Sequence, residues 1–377
     1  MIAANTSWNL VNFRGNIIAA LIARGFRVVA IAPRDEYSDR LALMGVEHQA
    51  LEFRSSAISP WRDALLLWRY LRLMRACRPA VFLGFTIKPN IYGSLAARFL
   101  GIPAINNVSG LGTAFIKTGL ITRIAVGLYR QAFRRSATVF FQNDEDRGHF
   151  VSAGIVDRAR TQLLPGSGVD LERFTPAPVV GGLAAGRPFV FLLIARLLWD
   201  KGAQEYVDAA RIVKQKYPDV RVQILGFADV DNRTAVPRAT LERWIGDGLI
   251  EHLGVADDVR PYIAAADCIV LPSYREGLPR SLLEASAMAR PIVATDVPGV
   301  RDVVDHEVTG LLCAVRNAEA LAAAMLRMIE MTAAERKAMG EKGRAKVERE
   351  FNISTVTQLY VEAVERAVKP ELRGSTI

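Results

Sequence analysis

Short apolar runs alternate with longer stretches of helical period along the whole chain. Phe26–Ala32, Ala80–Gly84, Ala104–Val108, Thr138–Phe141 and Thr161–Leu164 read as buried strands, as do Phe189–Ile194, Val220–Leu225, Cys268–Leu271, Ile292–Thr295 and Gly310–Cys313. Each is short, and most are rich in β-branched or aromatic residues. Between them Asn16–Arg24, Trp61–Ala76, Asn90–Leu100 and Ala203–Lys216 repeat apolar positions at helical spacing, and Ala333–Glu350 and Ser354–Lys369 continue the helical pattern to the end. Strands alternating with helices predict parallel sheets covered on both faces. The rhythm occurs twice, so the expected fold class is α/β, with two doubly wound, Rossmann-like domains facing each other across a cleft. Such sheets bind ligands beyond the carboxyl ends of their strands.

The stretch Pro176–Pro188 is rich in Pro, Gly and Ala and carries no charge before Arg187, the composition of a linker. It divides an N-terminal domain, residues 1–178, from a C-terminal one, residues 187–353. The start is unusual. Only Met1–Asn5 precede Thr6–Phe13, which reads as a loop, whereas a central first strand ordinarily runs about five residues or more. A first strand clipped by a late start-codon assignment is the expectation.

Hydrophobic residues make up 51% of the 377, enough for a core in each half. The net charge of +9 is uneven: 22 Lys and Arg face 12 Asp and Glu before Gly181, and 26 face 27 after it. A basic N-terminal half suits a polyanion, an acidic membrane or a phosphorylated substrate. Cys77, Cys268 and Cys313 are scattered singly, and His48, His149, His252 and His306 lack ligand spacing. This excludes a disulfide framework and a zinc site and fits a reducing cytoplasm. No apolar run reaches the roughly 18 residues of a spanning helix, and no signal peptide opens the chain. Any membrane contact is therefore expected to be peripheral.

Candidate chemistry concentrates in the C-terminal half. After the Cys268–Leu271 strand comes Pro272–Arg275 and then EGLPRSLLEASA from Glu276. Gly277 permits a tight turn and Pro279 suits the first helical position. The amides near Leu278 to Ser281 would then be unpaired at a positive helix end, an anion site. Glu276 lies before the turn and Glu284 about one and a half turns inside the helix; a capping acid and a surface acid would explain the two equally well. The loop after Phe189–Ile194 carries Arg196 and Lys201. Two cations beside an anion-binding helix start can hold a diphosphate without a metal, Arg as a planar fork and Lys as a point charge.

Arg196, Lys201 and Glu276-x7-Glu284, in this order and spacing, resemble the retaining GT-B glycosyltransferases of family four. So do LLPGSGVDLERF (Leu163–Phe174), Ile224–Gly226, AAADCIVLPS (Ala264–Ser273) and ATDVPG with VTGLL between Ala294 and Leu312. The resemblance spans nearly the whole chain. It implies that Arg196 and Lys201 hold the donor diphosphate, that Glu284 accepts from the ribose and that Glu276 meets the donor sugar. Gly277, Leu278 and Pro279 would contact sugar and phosphate through their amides, and the base would lie against Leu253–Val255. Arg196, Lys201 and Glu276 would be the catalytic residues, with no metal and no cofactor beyond the nucleotide sugar. The C-terminal helix, about residues 354–377, would pack back on the N-terminal, acceptor-binding domain. The chain departs from the pattern at three places. No histidine stands near Ser109–Gly110, Ala195 replaces a glycine, and Arg290 replaces the glycine before Pro291.

Asn5–Arg14, Phe85–Pro103, Ser109–Phe115 and Phe140–Arg147 resemble the bacterial branch that extends polyprenyl-diphosphate-linked sugars for surface polysaccharide or protein glycans, usually with UDP-sugars. This implies a hexose or N-acetylhexosamine donor and a lipid-linked saccharide acceptor. It also implies cytoplasmic work at the inner membrane face, and no nucleic-acid partner. Gly15, Lys88, Ser109, Gly110 and Gly112 are the expected acceptor-side residues, the glycines in loops at the cleft floor. Trp61–Arg78 mixes Trp61, Trp68 and Tyr70 with five arginines. That pattern suits an acidic membrane surface or, equally, an ordinary amphipathic helix packed on its sheet. Asp144–Asp146 and Asp229–Asp231 could suggest a metal site, although capping by Asn143 and Asp144 is the simpler account. An oxidoreductase is disfavoured because no Gly-rich fingerprint follows a strand. A nucleotide-sugar epimerase or a non-catalytic scaffold remains an alternative.

Overall fold

The computed structural model describes residues 1–53, 59–110, 120–176, 186–228, 232 and 234–372. The chain forms two compact units, Met1–Ser167 with Ile353–Ile377, and Gly168–Asn352.

The first unit is built on β1 (Ile2–Ala3), β2 (Val29–Ala32), β3 (Glu47–Ala50), β4 (Phe82–Phe85), β5 (Ala104–Val108), β6 (Thr138–Phe141) and β7 (Thr161–Leu163). These form one parallel sheet in the order β3-β2-β1-β4-β5-β6-β7, whose strand order reverses between β1 and β4. Although it has only two residues, β1 is central: Ile2 aligns with Ala30 and Leu83, and Ala3 with Ile31 and Gly84. Thr6–Phe13, expected as a loop, instead opens the helix Ser7–Ala23. Thr6 caps it, its hydroxyl accepting from the Asn9 amide at 3.0 Å, and Leu10 begins the buried series Leu10, Ile17, Ile18 and Leu21. The cap and this series outweigh the polar residues between them.

Successive β4 residues point to opposite faces of the sheet. Leu83 and Phe85 pack with Ile17, Ile18, Tyr360 and Val364, whereas Phe82 packs with Leu66, Tyr70, Met74 and Ala97. The C-terminal helix, Ile353–Leu372, therefore closes one face of the first unit's core. Arg24 pairs with Glu365 at its outer edge. The helix expected over Asn90–Leu100 starts as a π-turn, Pro89–Gly93, before Ser94–Phe99. There the buried Asn90 side chain donates through Nδ2 to the Asn107 carbonyl at 2.7 Å.

The second unit is built on β8 (Val190–Ile194), β9 (Arg221–Leu225), β10 (Glu251–His252), β11 (Cys268–Leu271), β12 (Ile292–Thr295) and β13 (Gly310–Cys313). The order is β10-β9-β8-β11-β12-β13, again parallel, with the reversal between β8 and β11. This unit begins ahead of the expected linker. The Val169 amide donates to the Phe351 carbonyl at 2.9 Å, and Phe174 is buried in the second unit's core. Residues 177–185 of that linker lie outside the described residues.

Arg290, the residue that stands in place of a glycine, is fully buried. It donates to the carbonyls of Ile263 at 3.0 Å and Ala264 at 2.7 Å, closing the end of the helix Arg260–Ala265. Among the described residues no helix is long and apolar enough to cross a membrane.

Candidate functional site

In the second unit the carboxyl ends of β8 and β11 flank the reversal in strand order, where a doubly wound sheet leaves a crevice. The loop after β8 runs from Ala195 to a short turn, Trp199–Lys201, that ends on Gly202. Gly202 has φ +72°, and a Cβ there would stand 2.1 Å from the Pro272 carbonyl oxygen. Only glycine lets the two loops close to this distance. The Tyr274 amide then donates to the Asp200 carbonyl at 2.9 Å.

This contact brings Lys201 to Glu276. Lys201 Nζ lies 2.5 Å from Glu276 Oε1, and the two side chains are largely withdrawn from water. Ser273 Oγ donates to the same oxygen at 2.6 Å. Thr295, at the end of β12, holds the Ser273 carbonyl through its hydroxyl at 2.5 Å. Sequence reasoning assigned no role to Ser273 or Thr295. Their signal is weak, a hydroxyl at each of two neighbouring strand ends. Arg196 begins the same loop but is exposed, and no ion pair holds it among the described residues.

Glu276 is followed by a turn and the helix Arg280–Ala287. Pro279, expected at the first helical position, is instead the N-cap residue, because its ψ of 114° is extended and the helix begins at Arg280. The turn is close-packed: a Cβ on Gly299, φ +76°, would lie 2.1 Å from the Gly277 carbonyl oxygen. Leu278 is buried beside it. Glu284 is buried one turn further on, and Arg280 Nε donates to it at 2.7 Å. Burial pushes the Glu284 carboxyl above its ordinary value, and Arg280 offsets part of that rise. Leu253 follows β10, its amide donating to the Ile224 carbonyl at 2.9 Å, while Val255 is exposed. Gly226, after β9, donates to the Gly254 carbonyl at 2.8 Å. The carboxyl edge thus carries an ammonium, two carboxylates and the amides of a helix start. Lys201 has three N–H donors and commits one to Glu276, so an anion at the helix start can take the others.

In the first unit the expected acceptor-side residues are more dispersed. Gly15 is not in a loop; it lies inside the helix Ser7–Ala23, where a Cβ would meet only the Met44 methyl, at 3.4 Å. Lys88 follows β4 and is paired with the buried Asp63 at 2.8 Å. The exposed Ser109 donates to Asn107 Oδ1 at 3.2 Å, and Gly110 has φ +142°. Gly112 lies outside the described residues, as do Asp229–Asp231. The capping account of Asn143 holds: its side chain accepts from the Asp146 amide at 2.7 Å. Asp144 pairs with Arg147.

Two parallel, doubly wound units of this order define a GT-B fold. The same architecture recurs in the structure of HepE from Anabaena in complex with UDP and glucose, with TM-score 0.79, 21% identity, and coverage of 97% of this chain and 98% of that one. The family model for glycosyl transferases group 1 matches residues 188–331, and that for the glycosyl transferase 4-like domain matches residues 12–166. The chain belongs to this glycosyltransferase family and is a glycosyltransferase. It is 26% identical, over 96% of both chains, to the N,N'-diacetylbacillosaminyl-diphospho-undecaprenol alpha-1,3-N-acetylgalactosaminyltransferase of Campylobacter jejuni. It is also 26% identical, over 74% of both chains, to the UDP-Gal:alpha-D-GlcNAc-diphosphoundecaprenol alpha-1,3-galactosyltransferase of Escherichia coli.

Proposed function

We propose that this glycosyltransferase moves a hexose or N-acetylhexosamine from a UDP-sugar to a polyprenyl-diphosphate-linked saccharide, with retention and without a metal, in surface polysaccharide or glycan assembly. The second unit is the donor domain and the first the acceptor domain. The observation that carries the reading is the Lys201–Glu276 pair at the strand-order reversal, beside a helix start. The names of the two relatives, both acting on undecaprenyl-diphosphate-linked sugars, support the acceptor class.

In this reading Lys201 and Arg196 receive the donor diphosphate, with the first-turn amides of the Arg280–Ala287 helix. Glu284 accepts from the ribose hydroxyls, and Glu276 orients the sugar. The bond from the anomeric carbon to the diphosphate breaks as the acceptor oxygen bonds on the same face. The acceptor proton leaves with the departing phosphate. Negative charge grows on that phosphate, so cations already in place lower the barrier. The basic first unit works at the acidic inner face of the cytoplasmic membrane, where such an acceptor resides.

A thermal-shift panel of nucleotide sugars tests the donor, since a ligand bound only by the native state raises Tm by mass action. UDP-sugars should raise it, and transfer should persist in excess chelator. Complete loss of transfer, restored by magnesium or manganese, overturns the metal-free reading. Release of free UDP without acceptor favours an epimerase.

A further inference from the structure

The helix Pro60–Cys77 carries two stripes. Asp63, Leu66, Tyr70 and Met74 are buried and pack on the sheet. On the other side Trp61, Leu65 and Trp68 follow at helical spacing with 88%, 45% and 52% exposure, and the exposed Arg72 extends the row, its guanidinium 5.5 Å from the Trp68 ring. The helix is therefore a packed amphipathic helix and also has an exposed aromatic ridge. Trp61 and Trp68 are the exposed tryptophans of the chain; the other three are buried or half-buried.

We propose that this ridge is the surface by which the protein docks on an anionic lipid bilayer, deepening the reading of a lipid-carried acceptor and resting on it. The charges match. Arg62, Arg72, Arg75 and Arg78 are exposed on or just past the helix, and Arg69 is half-buried beside them. The helix has one carboxylate, Asp63, which is buried and neutralised by Lys88. Tryptophan rings favour the headgroup level of a bilayer, and guanidinium forks engage phosphate oxygens. Beside the first turns a cavity of about 360 Å³ opens between Arg62, Arg69, Leu65 and the Lys88–Asp63 pair, with Glu52 as its solvent-facing carboxylate. It is a recess into which a headgroup phosphate can enter between cations.

Lys88 follows the carboxyl end of β4, so its bond to Asp63 places the first turn of the helix at that edge of the sheet. Ligands of a doubly wound sheet bind at this edge. A bilayer met by Trp61 is thus adjacent to the edge where the acceptor would be presented.

Co-sedimentation of the full chain with phosphatidylglycerol vesicles and with phosphatidylcholine vesicles tests the proposal. Binding should be strong to the first, weak to the second, and reduced by salt. Trp61→Ala with Trp68→Ala, and separately Arg62→Glu with Arg72→Glu, should each lower partition into phosphatidylglycerol by about tenfold or more. These side chains are exposed, so circular dichroism should be unchanged. Transfer to a short-chain, water-soluble acceptor should match wild type in both variants. Absence of transfer in wild type would count against the functional reading and leave the vesicle result to judge the ridge. Wild type that ignores phosphatidylglycerol, or variants that bind as tightly as wild type, would overturn the proposal. So would loss of a dimer in the variants without any vesicle binding, which would assign the ridge to a second copy of the chain.

Discussion

Lys201 and Glu276, 75 positions apart in the chain, meet at 2.5 Å across the strand-order reversal of the second unit. The loop after β8 supplies the ammonium and the loop after β11 the carboxylate, and Ser273 fixes the shared oxygen. Each partner positions the other before any ligand arrives.

This arrangement predicts strong coupling in kinetics. Lys201→Ala and Glu276→Gln should each lower turnover by about 100-fold, while donor affinity falls less, because the charge matters most as the leaving phosphate gains negative charge. The double variant should be only slightly worse than either single one. Among the described residues no ion pair holds the exposed Arg196. Arg196→Ala should lower turnover by about tenfold with no change in Tm. Full turnover by folded Arg196→Ala and Lys201→Ala, measured with the true donor and acceptor, would remove these residues from the site.

In the proposed donor site Glu284 would set function against stability. Burial raises its folded pKa above the unfolded value. Its contribution to stability is therefore complete below the unfolded pKa and is lost as pH rises through the folded one. Glu284→Gln has no such loss. Its Tm relative to wild type should improve as pH rises above the ordinary glutamate value of about 4.3, as followed by calorimetry. Donor binding by titration calorimetry should weaken by about 1.5–3 kcal/mol, the cost of losing a charged acceptor. An unchanged Tm difference across that range would show that Glu284 carries no burial penalty.

Gly202 packs directly against the Pro272 carbonyl of the facing loop. Gly202→Ala would force a methyl carbon to within 2.1 Å of backbone and hold an L-residue at φ +72°. The loops must separate, at a cost of about 2 kcal/mol or more. Denaturant unfolding should show that loss. Turnover should fall alongside it, because Lys201 moves away from Glu276.

Arg290 predicts the opposite division of effects. Arg290→Met keeps much of the volume but removes the guanidinium donor from the Ala264 carbonyl and leaves the Ile263 carbonyl only the Ala266 amide at 3.3 Å. The second unit should lose about 2–4 kcal/mol. Its unfolding transition should move to lower urea concentration, with turnover near wild type at temperatures where the unit stays folded.

Much of the fold was legible in the sequence. Ala104–Val108, Thr138–Phe141, Cys268–Leu271, Ile292–Thr295 and Gly310–Cys313 are strands with the bounds their apolar runs predict. A parallel strand buried on both faces must be apolar at successive positions, and that constraint is local. The edge strands β3, reading Glu-His-Gln-Ala, and β10, reading Glu-His, carry no such signal because their residues are only partly buried or exposed, unlike those of the edge strand β13. β1 is too short for a periodic pattern and exists through the pairing of Ile2 and Ala3 with strands on either side.

The sequence by itself determined the alternation of elements, the family pattern and the local order Glu276, turn, helix, Glu284. Tertiary structure alone decided that Gly15 lies inside a helix, that Arg290 is buried on two carbonyls, and that Tyr360 closes the core of the first unit. It also decided that Lys201 and Ser273 converge on one oxygen of Glu276. The physical reason is range. Periodicity and caps act over a few residues and are written along the chain, whereas a contact across 75 positions exists only once the sheet has ordered β8 beside β11.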